Sequence, residues 1–397
     1  MRSLRCLLYS AVLLVALALP AAGSATLDYG PKVSPSLAAL ANGPSATSST
    51  VLHAIVFGAN IQQANADLGS LLTVRQQLGT IGGESVDLTV GALPQLTAEP
   101  GVSWVTLDSV VVPTGNVTVP PLGSALVTTY PTIDDAVSAW QNGITGKNVS
   151  VAVIDSGVTP ETDFTNGGSH LEQEQLQGQQ GGGGALNDPY GHGTFVAGIV
   201  GGSSANGHFV GVAPGANIDA INVSRPSGVR TSDVIAGLLW VLAHHKDKHI
   251  GVVNLSLTET NTSSYLTSPL DSVVELLWRA GVTVVVSSGN LGPGTTSYAP
   301  ANDPFVITVG ATDTTVPGQT TVASFSSSGT TLDGVSKPEI MAPGRRIGSL
   351  LPAGTVLDGE APSAVRLDPG YVRMSGTSFS APQVTGAVAL LLQQRPR

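Results

Sequence analysis

Apolar positions between residues 51 and 112 fall in short alternating runs. Val51–Phe57 reads as a strand, Glu84–Val90 alternates apolar with polar, and Val102–Val112 reads as a third strand. Leu68, Leu71, Leu72 and Leu78 carry helical spacing within Asn65–Gly79, and Leu93–Glu99 is a short helix stopped by Pro100-Gly101. The order strand–helix–strand–helix–strand predicts a small α+β unit. From Val149 the pattern changes. Val149–Ile154, Gly251–Leu257 and Val282–Ser287 are apolar nearly throughout, with Asp219–Val223 and Phe305–Val309 as shorter strands. They alternate with helical stretches at Ser232–His245 and Leu270–Ala280. Strands buried on both faces and separated by helices predict an α/β fold, a mostly parallel sheet with helices on both faces. Ligands in such sheets bind beyond the C-terminal strand ends.

Between these units the pattern lapses. Residues 26–50, rich in Ser, Ala, Pro and Gly, read as a flexible lead-in, and Pro113–Pro121 reads as a linker. Leu171–Gly184, with its run of Gln and Gly, reads as a mobile surface loop. At the start, Arg2 and Arg5 precede an apolar run, Leu7–Leu19, and then small residues from Pro20 to Ala25. That is the pattern of a secretory signal peptide cut near Gly23 or Ala25. The run is short of the ~20 apolar residues a membrane span needs. The expected product is secreted, extracellular and free of the membrane.

Composition narrows the function. The chain has 397 residues with 11% charged and 42% hydrophobic, which excludes an intrinsically disordered protein. A net charge of −10 argues against a nucleic-acid partner. The one cysteine, Cys6, lies in the leader, so neither an internal disulfide nor a thiolate metal site is available.

Four short stretches carry candidate chemistry. Asp155 ends an apolar strand at a Gly turn; alone, it reads as a turn or cap residue. His192 lies between two glycines at the start of an apolar helix. Ser378, in Gly-Thr-Ser-Phe-Ser-Ala-Pro, opens another, where a helix N-terminus favours developing negative charge; alone, it reads as an N-cap. Asn290 ends an apolar strand and can offer an amide donor, or simply make a turn. Together they fit acyl transfer. Ser378 is then the nucleophile, His192 its base, Asp155 the group orienting the imidazole, and Asn290 the oxyanion donor. The chain order Asp, His, Ser is one of the known orders of such a triad. His244, His245 and His249 also cluster but match no zinc motif, and read as a solvated helix end.

Val-Ile-Asp155-Ser-Gly-Val, Gly-His192-Gly-Thr, Ser-Gly-Asn290 and Gly-Thr-Ser378-Phe-Ser-Ala-Pro resemble the motifs of the subtilisin-like serine proteases, the subtilases. Gly211-Val-Ala-Pro-Gly and Lys337-Pro-Glu-Ile-Met-Ala-Pro-Gly extend the resemblance over about 130–397. It implies a secreted serine endopeptidase acting on protein or peptide substrates. Residues 51–112 are similar to the family's pro-segment, which implies a precursor whose own N-terminal part assists folding and then inhibits. The implied division is 1–25 signal, 26–50 lead-in, 51–112 pro-segment, 113–131 linker with the processing site, and 132–397 catalytic domain. By the same resemblance Leu255, Ser256 and Leu257 pair with substrate, and Ser287, Ser288 and Gly289 wall the primary specificity pocket. Thr258, Phe379 and Gln383 replace the family's usual Gly, Met and His; Thr258 is expected to narrow the groove. No cofactor is required. Calcium sites are common in the family, but no loop here matches a metal motif, so no ligands are assigned. The family usually continues beyond the serine helix, so the stop at Arg397 suggests a truncated product or gene model. A serine-carboxyl peptidase, which shares the fold, would carry Glu at 192 and Asp at 290. A subtilase fold that only binds partners would not need all four competent groups.

Overall fold

The computed structural model describes residues 27–59, 72–114, 128–164, 170–175, 188–225, 227–316 and 319–395. Its N-terminal part holds α1 (Pro35–Ala41), β1 (Val51–Gly58), β2 (Leu72–Leu78), β3 (Gly83–Thr89), α2 (Leu93–Ala98) and β4 (Val102–Leu107). The strands form one antiparallel sheet in the order β2–β3–β1–β4. Side chains alternate across β1. Leu52, Ala54 and Val56 join Leu37, Leu93 and Leu96 in a core of their own, while Ile55 faces the larger unit.

Two expectations change here. The 26–50 lead-in is not loose from residue 27 on: Tyr29, Val33, Leu37 and Ala41 are buried, and Ser34 caps α1 by accepting from the Leu37 amide. The small-residue composition concealed a helix too short to show a period. Of the helix expected at Asn65–Gly79, residues 65–71 lie outside the described residues and Leu72–Leu78 is a strand. A bulge between Val74 and Gln76 turns Leu72 into the small core and Leu78 toward the larger unit, so the leucine spacing serves two faces of a sheet edge.

The larger unit contains, in order, β5 (Val110–Pro113), β6 (Ser150–Asp155), β7 (His170–Gln175), α3 (His192–Gly201), β8 (Asn217–Asn222), β9 (Val229–Arg230), α4 (Thr231–His244), β10 (Ile250–Leu255), β11 (Leu257–Glu259), α5 (Pro269–Arg279), β12 (Thr283–Ser287), β13 (Ile307–Asp313), β14 (Thr321–Val322) and α6 (Ala381–Gln394). Its main sheet runs β14–β13–β12–β10–β6–β8–β7, with Ile340–Pro343 also paired to β13. Every pairing in it is parallel except that of β14. Val151 and Val153 point to the face covered by α3 and α6, and Ala152 and Ile154 to the face covered by α4 and α5. Strands apolar throughout are therefore what two helical layers require.

Three further readings are corrected. Gly251–Leu257 is not one strand: it breaks at Ser256 into β10, inside the sheet, and β11, outside it. The Leu171–Gly184 loop begins as edge strand β7, paired with β8 and flanked by the Lys248 ammonium 2.6 Å from Glu172 and 3.3 Å from Glu174. Residues 176–184 lie outside the described residues. Val102–Val112 is also two strands. At Asp108 the chain leaves the small sheet, and the Asp108 carboxylate accepts from the Ser232 amide (2.9 Å) and hydroxyl (2.7 Å) at the start of α4. An anion there satisfies an orphan amide at the positive end of the helix. β5 then enters a separate sheet of order β11–β5–β9.

Candidate active site

The site forms where β6, α3, β12 and α6 converge. Asp155 is the last residue of β6, and His192 the first of α3. Gly191 reaches φ +95° to turn the chain into α3. A Cβ on Gly193 would lie 2.1 Å from the Gly157 carbonyl oxygen, so only glycine lets the aspartate and histidine loops touch. His192 Nδ1 lies 2.9 and 3.0 Å from the two Asp155 oxygens, and both side chains are almost wholly buried. The Ser156 amide also donates to Asp155 (2.7 Å). A buried carboxylate held this way fixes the imidazole's orientation and leaves Nε2 for chemistry.

Asp188, which the sequence reading did not single out, ties this corner together. It accepts from the Ser156 hydroxyl and the Gly191 amide through one oxygen, and from the Thr194 amide and hydroxyl through the other, all at 2.8 Å. Burial raises its pKa on balance, and those hydrogen bonds offset only part of the rise. An Asp four residues before a helix-opening His was the available signal.

Ser378 lies in a 3₁₀ turn, Thr377–Phe379, before α6. Its hydroxyl donates to the Ser256 carbonyl (2.9 Å) and lies 2.6 Å from Thr114 Oγ1. No hydrogen bond joins it to His192, whose buried Nε2 has no partner among the described residues. The expected serine–histidine contact is thus unmade here, with the Ser378 hydroxyl turned toward Thr114. The Phe379 ring, 5.7 Å from that of His192 and 4.6 Å from that of Phe195, walls the imidazole.

Thr114 is the second unforeseen residue. Its carbonyl oxygen accepts a short hydrogen bond from Asn290 Nδ2, and the Ser378 amide points at the same oxygen from 3.5 Å. Asn290 is aimed by the Thr377 amide (3.0 Å) and hydroxyl (3.1 Å), both donating to its Oδ1. Two donors thus converge on one carbonyl beside a serine hydroxyl, the arrangement that stabilising an oxyanion requires.

The chain leading to Thr114 lies in a groove. Pro113, Val112 and Val111 of β5 pair with Leu257, Thr258 and Glu259 of β11, and Val111 and Val110 pair with Val229 and Arg230 of β9. The Thr114 amide donates to the Ser256 carbonyl (3.2 Å). Pairing therefore begins at Ser256 and runs to Thr260. Leu255, expected to pair, lies inside the main sheet, because the chain turns out of it at Ser256. Thr258 does not close the groove; its hydroxyl turns back to the Ala299 carbonyl (3.5 Å). Beneath β5 the Glu259 carboxyl accepts from the Thr231 hydroxyl (2.7 Å), and burial raises its pKa to about 7. Ser287 Oγ lies against Thr114 Oγ1, Ser288 Oγ is buried with no partner among the described residues, and the Gly289 amide donates to Thr377 Oγ1 (3.2 Å). The Gln383 amide donates to the Pro343 and Phe379 carbonyls, both 2.6 Å away.

Among the described residues, no three His, Cys, Asp or Glu side chains are placed to hold a metal ion. His244 and His245 instead bond to the Trp240 and Leu242 carbonyls, at 2.8 and 2.9 Å.

The family model for subtilases (Peptidase_S8) matches residues 146–397. The chain belongs to the subtilase family. It is 37% identical to the serine protease AprX of Bacillus subtilis (strain 168) over 289 residues, covering 68% of this chain and 63% of AprX. Against subtilisin E of the same organism it is 31% identical over 330 residues, covering 81% and 74%. Among solved structures it resembles fervidolysin of Fervidobacterium pennivorans, a keratinolytic enzyme related to subtilisin. The TM-score is 0.68 at 26% identity, covering 88% of this chain and 55% of that one. The subtilase thus spans less than two thirds of both AprX and fervidolysin. Its mostly parallel sheet between two helical layers is the subtilisin-like fold.

Proposed function

We propose that this subtilase is the precursor of a secreted serine endopeptidase that cuts its own chain between Thr114 and Gly115. One observation carries the reading: the Thr114 carbonyl lies between the Asn290 amide and the Ser378 amide, at the end of a strand held on both sides by the groove. In the proposed mechanism, Ser378 swings from the Ser256 carbonyl to His192 Nε2, gives up its proton there and attacks the Thr114 carbonyl carbon. Asn290 and the Ser378 amide stabilise the resulting oxyanion. His192, now an imidazolium held by Asp155, passes the proton to the departing Gly115 nitrogen. Water, activated by His192, then frees the Thr114 carboxylate. The groups the scheme names are side chains, the Ser378 backbone amide and water.

Residues 27–114 then act as an inhibitor by product-like binding, with β5 filling the acyl side of the groove and Asp108 capping α4. Other protein or peptide substrates take the same path as extended strands against Ser256–Thr260, after the pro-segment leaves. The Arg2–Ala25 pattern supports export; those residues lie outside the described ones.

Processing is tested by purifying the precursor and sequencing the N-terminus of the large fragment that accumulates. Gly115 is the expected first residue. A first residue before Val110 would overturn the assignment.

A further inference from the structure

Thr114 presents more than its carbonyl to the site. Its side chain is buried, and its hydroxyl lies between two others, Ser287 Oγ on the wall and Ser378 Oγ, the latter 2.6 Å away. Ser378 donates to the Ser256 carbonyl, so Thr114 is free to donate to Ser378 and to accept from Ser287. Ser287 is fully buried at the end of β12. The one other hydrogen-bond partner of its hydroxyl among the described residues is the Leu255 carbonyl at 3.5 Å, the limit of a useful hydrogen bond. Ser287 is therefore well satisfied only when the residue in front of it carries an oxygen on Cβ.

From this we infer that Ser287 selects a β-hydroxyl residue, Thr or Ser, on the acyl side of the bond to be cut. The inference deepens the protease reading and rests on it. A residue such as Val fills the same space as Thr but offers no acceptor. The buried Ser287 hydroxyl is then left with its distant carbonyl, and sites built around a substrate hydroxyl reject analogues lacking it for this reason. Ser288, one residue along, has no hydrogen bond to Thr114, so the selection falls on Ser287 alone.

The test uses mature enzyme and peptides of sequence Val-Val-Pro-X ahead of the cut, with X as Thr, Ser, Val or Ala. The Thr peptide is expected to exceed the Val peptide by about tenfold or more in kcat/KM. Ser287→Ala is expected to bring the two within about threefold, by slowing the Thr peptide rather than by a loss common to both. Thr and Val peptides cut within twofold of each other by the wild-type enzyme would overturn the inference, as would a Thr preference that survives Ser287→Ala. Should that variant fail to fold, the precursor gives a second measure: Thr114→Val is expected to slow self-cleavage about tenfold, with Thr114→Ser close to wild type. Self-cleavage of Thr114→Val at the wild-type rate overturns it again. A wild-type enzyme that cuts none of the peptides and never processes its precursor would remove the protease reading itself, and this inference with it.

Discussion

Ser378 illustrates how much depends on one rotamer. In the structure its hydroxyl faces Ser256 and Thr114 while His192 Nε2 has no partner among the described residues, so the proposed catalysis requires a rotation about its side chain. Ser378→Ala removes the hydroxyl that the proposed scheme directs at the Thr114 carbonyl. The full precursor is expected to accumulate uncut, as seen by intact mass; correct processing of the purified variant would contradict the scheme. Asn290→Ala is expected to lower kcat by about 10²–10³ with little change in KM, because its amide acts on charge that develops only in the transition state. A rise in KM at constant kcat would make it a binding residue instead. Asp188→Ala takes the acceptor from four donors at the junction of the aspartate and histidine loops. Losing hydrogen bonds to a buried carboxylate is expected to cost about 3 kcal/mol, read as a lower denaturation midpoint of the Ser378→Ala precursor. An unchanged midpoint would remove Asp188 from that role.

Among the elements, the guest strand β5 has the most consequence. Glu259 lies beneath it with its pKa raised to about 7, chiefly by burial, and by Asp108 nearby. Once β5 leaves, solvent reaches the carboxyl and its pKa returns toward 4.5, so the complex holds a proton that the separated parts do not. Between about pH 4.5 and 7 the affinity of the mature enzyme for a separate 27–114 peptide should therefore fall as pH rises, by about tenfold or more, and level off above. Titration calorimetry across that range checks this, and Glu259→Gln should flatten the profile. The same elements show what was legible. The main sheet was plain because strands covered on both faces are apolar at every position, and Asp155, His192, Asn290 and Ser378 each stand beside a glycine-marked turn. The split of Val102–Val112 was hidden, since both pieces are apolar and the break depends on Asp108 finding α4 across 124 residues. Leu255 was misplaced by one turn of the chain that Ser256 makes without Gly or Pro. Thr114 had no local mark at all: its place is set by pairing with β9 and β11, which no spacing in its own neighbourhood encodes.

For the whole molecule, connectivity governs how the fold is reached. The order β14–β13–β12–β10–β6–β8–β7 joins distant segments in parallel, and long loops must close before those pairings stabilise anything. The N-terminal part, whose antiparallel strands are close in sequence, presents Ile55 and Leu78 to the cluster that includes α4 and α5. A chain beginning at residue 115 is expected to refold slowly, and added 27–114 peptide should speed recovery of near-ultraviolet circular dichroism; equal rates with and without it would refute an assisting role. The location of the Thr114 carbonyl also sets the order of the proposed activation reaction. A bond lying in its own molecule's groove is cut in a unimolecular step, whose half-time does not depend on how much protein is in the tube. Departure of the cut piece is opposed by re-association, which does. Dilution should therefore leave the appearance of the cleaved band on a gel unchanged while raising the fraction of molecules that hydrolyse an added peptide, so that the two clocks, coincident in no sample, separate further as the solution is concentrated.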